Sequence, residues 1–286
     1  MVKICIATAY DAGFGYIGNY AASCLQFYAD SHGFDTRVVS SVPTTDWHPA
    51  WFRLQLIEEL FDEGYDFVFW VDADALIVRR DVNIAEEIED GKDLYCVLHG
   101  GGVEQHGTNL FPNTGVMLLR NSQWVRELFD EMRSHEEYAL QPLWDQSALC
   151  LALGYHEAVG GQVNMVDHSK HERIKFLHVG WNHMPFNVAG TNFAEEPIIC
   201  HFSGLDQDKR SDFARRTWLT VHESACSDTA PAQMDIKLAS LEAKLKQTEN
   251  QRDRFKYLLG KATHSVMLKK VYKLRRLFDP NFERFY

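Results

Sequence analysis

No CxxC pair occurs among the six cysteines, and no apolar run approaches the length of about 18 residues that a membrane-crossing helix needs. Cys5, Cys24, Cys96, Cys150, Cys200 and Cys226 are scattered, mostly in apolar surroundings. They read as small buried residues in a reducing compartment, not as a disulfide framework. The opening MVKICIATAY has no charged region leading into a long apolar one, so it reads as a first strand and not as a signal peptide. A cytoplasmic location is the resulting expectation. Internal repeats and low-complexity tracts are absent too. Basic residues are scarce in the body: residues 1–232 hold 16 Lys and Arg against 34 Asp and Glu. That balance excludes a nucleic-acid-binding body. It reverses over residues 233–286, with 13 basic and 6 acidic side chains, although the whole chain carries −11.

What is present is ordinary for a soluble enzyme: 45% hydrophobic and 24% charged residues in a chain of 286. That length suits one large domain with an appendage. Residues 3–8 read as a buried strand, 17–31 as a helix closed by Gly33, 36–42 as a strand, 50–63 as a helix and 66–72 as a strand. This β-α-β-α-β order predicts a parallel sheet covered on both faces, with ligands beyond the carboxyl ends of its strands. Strands follow at 94–98, 115–119, 174–179 and 198–202, and helices at 121–134, 144–153 and 209–222. The stretch 180–197, rich in Gly, Asn, Pro and His, reads as a functional loop over the site, and His99 to His106 as a Gly-rich connection or a mobile loop near the donor.

The body is expected to span 1–225, with a linker at 226–233. Residues 234–263 repeat apolar positions at alternating spacings of three and four, with polar lapses at Thr248 and Arg252, which reads as a coiled-coil helix or as one amphipathic helix folded back on the body. Residues 264–286 mix Lys and Arg with Val, Leu, Phe and Tyr. Such a tail suits an anionic membrane surface or the face of a partner. A homodimer through the C-terminal helix is the corresponding expectation.

The segment FVFWVDADALIV, residues 67–78, brings two carboxylates to the end of the most apolar strand. Unpaired charge there is costly. Residues two apart on a strand point the same way, so Asp72 and Asp74 can converge on one ion. Two hard oxygen ligands suit Mg²⁺ or Mn²⁺, with phosphate oxygens completing the shell. His201, after a short apolar strand in IICHFSGLD, is a third ligand candidate and favours Mn²⁺. A lone Asp-x-Asp is more often a surface pair, and a lone His a satisfied core residue; their combination with a buried strand end favours ligation.

Several segments occur together in one order: FYADSHGF (27–34), a helix bearing Arg53, WVDADALI (70–77), NTGVMLLRNSQW (113–124), WDQSAL (144–149) and HFSG (201–204). In these the chain resembles the metal-dependent GT-A glycosyltransferases, above all the retaining galactosyl-, mannosyl- and xyloglucan xylosyltransferase family, and more distantly the glycogenin-like family. The resemblance covers about residues 1–220. It implies an α/β GT-A fold, with a Rossmann-like, mostly parallel central sheet flanked by helices, here followed by a helical or coiled-coil extension. It implies transfer of a hexose from a UDP-sugar, galactose or glucose, to a glycan or lipid-linked glycan. Mn²⁺ or Mg²⁺ would sit on Asp72, Asp74 and His201.

The same resemblance places the donor against Ala7, Thr8, Tyr10, Arg53, Asp72, Ala73, Asn113, Gly115, Gly204 and Lys209. Taken alone, Tyr10 is equally a rim residue, Arg53 a helix-surface arginine, and Asn113 to Gly115 a plain turn. Asp145 and Gln146 would face the reacting sugar, as stabilisers or as a nucleophile; alone they are dipole-favoured residues of a helix start. One departure stands out. The family places a Lys five or six residues after the metal His, where this chain has Asp206 and Gln207, with Lys209 and Arg210 only afterwards. A sugar-nucleotide hydrolase or metal phosphoesterase is the second reading, and a non-catalytic sugar-nucleotide-binding scaffold the third.

Overall fold

The computed structural model describes residues 2–43, 46–100, 110–141, 143–156, 164–165, 167, 169–186 and 192–225. All belong to the first of the two units into which the chain divides, Met1–Ala230. The linker, the heptad segment, the basic tail, Cys226 and the connection through His106 lie outside the described residues. Among those described, no helix is long and apolar enough to cross a membrane.

Six strands form the main sheet: β1 (Ile4–Ala9), β2 (Asp35–Val39), β3 (Phe67–Val71), β5 (Leu94–Gly100), β6 (Leu110–Arg120) and β9 (Ile174–Phe176), in the order β2-β1-β3-β6-β5-β9. β1 pairs in parallel with β2 and β3, and β5 with β9. β6 alone is reversed, running antiparallel to β3 and β5. The sheet is therefore mostly parallel, as the β-α-β order predicts. A separate ladder joins β4 (Ala75–Ile77) antiparallel to β10 (Ile199–His201), and a third joins β7 (Tyr155–His156) to β8 (Asn164–Met165).

Helices cover both faces. The continuous apolar run of β3 follows from this. Val68 and Trp70 enter a core with Leu54, Ile57, Leu60 and Phe61 of α2 (Phe52–Asp62) and Leu128, Phe129 and Met132 of α3 (Gln123–Ser134). Phe67, Phe69 and Val71 enter the opposite core with Leu25 and Tyr28 of α1 (Gly15–His32). Alternate strand residues thus feed two hydrophobic layers. Each large buried side chain stabilises the fold by about 1.5–3 kcal/mol. Two further helices, α4 (Trp144–Ala152) and α5 (Gln207–Ala225), complete the unit. The cysteines Cys5, Cys24, Cys96, Cys150 and Cys200 are buried, in keeping with the sequence reading.

Local chemistry sets the boundaries. α1 stops at Gly33, whose φ of 69° is left-handed and whose N–H bonds Ala29 O. Ser122 caps α3 through Val125 N. The FYADSHGF segment is scaffold: Tyr28 Oη donates to Val82 O at 2.8 Å and accepts from Ile84 N at 2.8 Å. Some boundaries differ from the sequence reading. β6 begins at Leu110 and not near 115, because the strand passes straight through Pro112 and the Asn-Thr-Gly that look like a turn. There its register slips: Cys96 faces Met117 while Val97 faces Asn113. Residues 114–116 thereby have no register partner in β5. β2 ends at Val39, β9 at Phe176, and α5 spans a longer stretch, Gln207–Ala225.

Candidate active and metal site

β3 ends at Val71, and the chain turns through Asp72, Ala73 and Asp74 into β4. Backbone bonds pin this turn: Asp72 N donates to Gly115 O at 2.8 Å, Ala75 N to Asp72 O at 2.9 Å, and Phe202 N to Asp74 O at 2.9 Å. The β4–β10 register sets His201 opposite Ala75. One ligand atom from each of Asp72, Asp74 and His201 falls within 4.8 Å of the others. His201 Nε2 lies 3.3 Å from Asp74 Oδ1, yet it is buried without a hydrogen-bond partner. Two carboxylates and an imidazole nitrogen without a hydrogen-bond partner are the donor set of a hard divalent cation. The residues therefore fit such an ion. Gly115 makes room for the imidazole, since a Cβ there would lie 2.2 Å from His201 Cε1. The glycine serves the histidine's approach.

A buried arginine ties this group to the next. Arg53, in the first turn of α2, is 6% exposed. Its Nη1 lies 3.2 Å from Asp72 Oδ1 and donates to Thr114 O at 2.6 Å. Its Nε lies 3.0 Å from Asp145 Oδ2 but points its N–H at Ala50 O, 3.1 Å away. Asp145 Oδ2 is thus in ionic contact without a hydrogen bond. Trp70, two residues before Asp72 and on its side of the strand, donates Nε1–H to Asp72 Oδ1 at 2.7 Å. Gln146 Oε1 accepts from Thr114 N at 3.2 Å. Thr114 and Gly115 thus present their backbone to Arg53, Asp72 and Gln146.

Asp145 and Gln146 enter α4 through Leu143 and Trp144, with φ of 66° and 39°. Side-chain-bearing residues in the left-handed region cost about 1–2 kcal/mol each, a price met only where the surroundings enforce it. Trp144 stacks on His48 with centroids 3.5 Å apart, and Trp47 meets Trp51 edge-on at 4.7 Å. These contacts clamp the strained entry.

The electrostatics differ within the group. Burial pushes the Asp145 carboxyl up to about 6; the Asp72 charge adds to this, while Arg53 and the Thr114 hydroxyl oppose it. Asp72 is also raised, first by burial, with Arg53 opposing and Asp74 adding. Asp74 is buried as well, but His201 and Arg210 outweigh that burial and hold it below the usual carboxylate range.

The remaining predicted residues divide. Ala7 and Thr8 are fully buried on β1, and Ala73 is buried in the turn. The Tyr10 ring packs on Gly18, and its hydroxyl donates to Asn19 Oδ1 at 3.0 Å. Gly204, with φ of 77°, shapes the turn after His201. Lys209 does not join the group: it is exposed and its Nζ pairs with Asp206 at 2.6 Å. A helix advances 100° per residue, so its neighbour points elsewhere. Arg210 is that neighbour, with Nε 3.5 Å from Asp74 Oδ2 and without a hydrogen-bond partner. Asn113 and Asn182 meet beside His201. Sequence reasoning assigned no role to Asn182, Thr114 or Trp70. Trp70 was legible in principle from its i−2 spacing to Asp72, and Asn182 only as one amide of a polar loop.

A mostly parallel α/β sheet with an Asp-x-Asp turn and a histidine at its carboxyl edge defines the class: a glycosyltransferase of the GT-A fold. Residues 33–215 match the nucleotide-diphospho-sugar transferase family, and the chain belongs to it. Xyloglucan 6-xylosyltransferases 1 and 2 of Arabidopsis thaliana are 31% and 30% identical over 107 residues, 36% of this chain. That match spans only 23% of the length of those curated relatives. Among solved structures, a glycosyltransferase involved in glycosylation of the major capsid of PBCV-1 superposes with a TM-score of 0.54 at 13% identity, covering 74% of this chain and 98% of that one. The galactosyltransferase LgtC, solved with donor and acceptor sugar analogs, gives 0.53 at 16%, covering 77% and 95%. At these identities the structural likeness establishes the fold.

Proposed function

We propose that the chain is a metal-dependent, retaining glycosyltransferase that moves a hexose, galactose or glucose, from a UDP-sugar to a glycan or lipid-linked glycan. The carrying observation is His201 Nε2, buried without a hydrogen-bond partner beside Asp74 and Asp72. Asp72, Asp74 and His201 would hold Mn²⁺ or Mg²⁺. When bound, such an ion supplies Lewis-acid stabilisation to a diphosphate leaving group.

The chain's own residues do the rest. Arg210, not Lys209, brings a guanidinium to the carboxylate group, where it can pair with phosphate oxygens. It stands in for the lysine that the resembling enzymes carry. Arg53 holds Asp72 and Asp145 in fixed relation. Asp145 is 1% exposed and committed to Arg53. That favours a stabiliser of positive charge on the reacting sugar over a nucleophile, with Gln146 beside it. The leaving phosphate then takes the acceptor's proton on the same face. Ala7, Thr8, Ala73, Asn113, Gly115 and Gly204 belong to the donor-side wall in this reading.

Calorimetry with UDP tests it. Binding should be tight in Mn²⁺ and weak after chelation; metal-independent binding would remove the Asp-x-Asp assignment. A donor screen for nucleotide-sugar hydrolysis in Mn²⁺ then names the sugar. The charge reversal and heptads after residue 233 support a homodimer on an anionic, cytoplasmic membrane face. A chain ending near residue 225 that sediments and binds anionic liposomes like the full chain would end that part.

A further inference from the structure

The tautomer of His201 can be read from a chain of hydrogen bonds that starts at the backbone. Gly115 N–H can only donate, and it donates to Asn113 at 2.8 Å. The Asn113 atom it meets is therefore the oxygen, Oδ1. The same oxygen lies 2.8 Å from the Asn182 amide, which must turn its NH₂ toward it. Asn182 Oδ1 is then left facing His201 Nδ1 at 2.8 Å. An oxygen can only accept, so Nδ1 carries the hydrogen. In the neutral ring, which has one N–H, Nε2 is then bare.

The relay is rigidly housed. Asn182 is fully buried, and Asn113 and His201 nearly so. The Asn182 backbone carbonyl accepts from His99 Nε2 at 2.6 Å, and Ile198 N donates to Gly180 O at 2.8 Å. These bonds hold the Asn182 backbone beside the ring, while its amide is held by Asn113 and His201 themselves. Gly115 serves both ends, as the first donor and as the gap that the imidazole enters.

We propose that Asn182, oriented by Asn113 and the Gly115 N–H, is a positioning residue that locks His201 in the Nδ1–H tautomer and so keeps Nε2 free as a cation ligand. The inference rests on the metal reading above for its purpose, but the tautomer itself exists without an ion. A ring in the other tautomer would turn an N–H toward Asp72 and Asp74 and exclude the cation. Loss of such an outer hydrogen bond typically weakens metal binding by roughly 10–100-fold.

Three full-length proteins test this: the parent, Asn182→Leu and Asn182→Asp. Leucine removes the acceptor. Aspartate keeps one toward Nδ1, and in its protonated form also keeps a donor toward Asn113. Two-bond ¹⁵N–¹H spectra of histidine-labelled, metal-free protein report the tautomer, at a pH where titration finds the ring neutral. His201→Gln assigns the signals by deletion. Calorimetry with Mn²⁺ alone reports affinity. The expected results are Nδ1–H in the parent and in Asn182→Asp, loss of that preference in Asn182→Leu, and an affinity drop of roughly 10–100-fold in the leucine variant only. A parent ring in the Nε2–H form overturns the proposal, as does an Asn182→Leu protein matching the parent in both readouts. Equal affinity losses in the leucine and aspartate variants overturn it too, since that is the mark of a merely structural residue. A parent that shows Nδ1–H but binds no Mn²⁺ would refute the metal reading and with it the relay's purpose. If Asn182→Leu does not fold, the parent spectrum and Asn182→Asp still decide the tautomer.

Discussion

Among the described residues, a lone buried carboxylate and a buried group of three make opposite use of arginine. Asp93, 1% exposed at the start of β5, meets Arg120 at 3.5 Å and Arg173 more closely, and its backbone N–H and C=O bond the same two residues. Nothing there is left unpaired. In the group of three, Asp72, Asp74 and Asp145 share Arg53 and Arg210, and His201 Nε2, Arg210 Nε and Asp145 Oδ2 are buried without hydrogen-bond partners. A scaffold closes its hydrogen bonds; a site holds some open for a ligand. The unsatisfied atoms distinguish the two where burial and charge do not.

The contrast is breakable. Asp74→Ala should lower kcat/KM by at least about 1,000-fold, the loss expected when a several-kcal/mol Lewis-acid contribution disappears, while circular dichroism stays native. Asp93→Asn should do the reverse. Unfolding in urea should show about 3 kcal/mol less stability, with activity per folded molecule unchanged. A similar activity loss in both variants would erase the distinction.

Asp145 sharpens it through pH. Burial raises this carboxyl from 3.8 to about 6, so the folded protein keeps the proton after the unfolded chain has lost it. The stability tied to this group is full below 3.8 and is lost as pH rises through about 6. Asn does not titrate. In the metal-free protein, the stability of Asp145→Asn relative to the parent should therefore climb across that window by about 3 kcal/mol, measured by denaturant unfolding at each pH. A flat difference would place the carboxylate in a wetter setting. Smaller effects follow. Arg210→Ala should reduce kcat/KM by about 100-fold and Lys209→Ala by less than about threefold, the separation expected of a buried charge contact against an exposed one. Gly115→Ala should cost about 1–3 kcal/mol of stability and weaken Mn²⁺ binding, because its methyl displaces the His201 ring.

Much of the sheet was legible because β3 and its neighbours are buried on both faces, which leaves a continuous apolar run in the residue string. Asp72 and Asp74 were legible for the same reason, as charge interrupting that run. His201 was readable only as a residue after a short strand; the β4–β10 register that sets it beside Asp74 is a long-range pairing that local pattern does not encode. The choice between Lys209 and Arg210 hinged on helix phase, which a boundary shifted by two residues obscures. Asn182 acts through two partners distant in the chain. The segment NTGVMLLRNSQW combined both roles without a local sign. Its Asn113 and Gly115 shape the site, whereas Asn121 donates to Phe61 O and Tyr65 O and fastens α2 to the sheet.

The three ligand residues do not stand on one framework. Asp72 directly follows β3 of the six-stranded sheet, while Asp74 directly precedes β4, and His201 ends β10, in the separate two-stranded ladder. Anything gripping all three rivets the ladder to the sheet. Occupancy then becomes mechanical as well as chemical: at 100 times its dissociation constant a ligand adds about 2.7 kcal/mol of stability. That gain would fall unevenly, slowing amide exchange along Ile199–Phe202 while leaving the far edge strand β2 as it was.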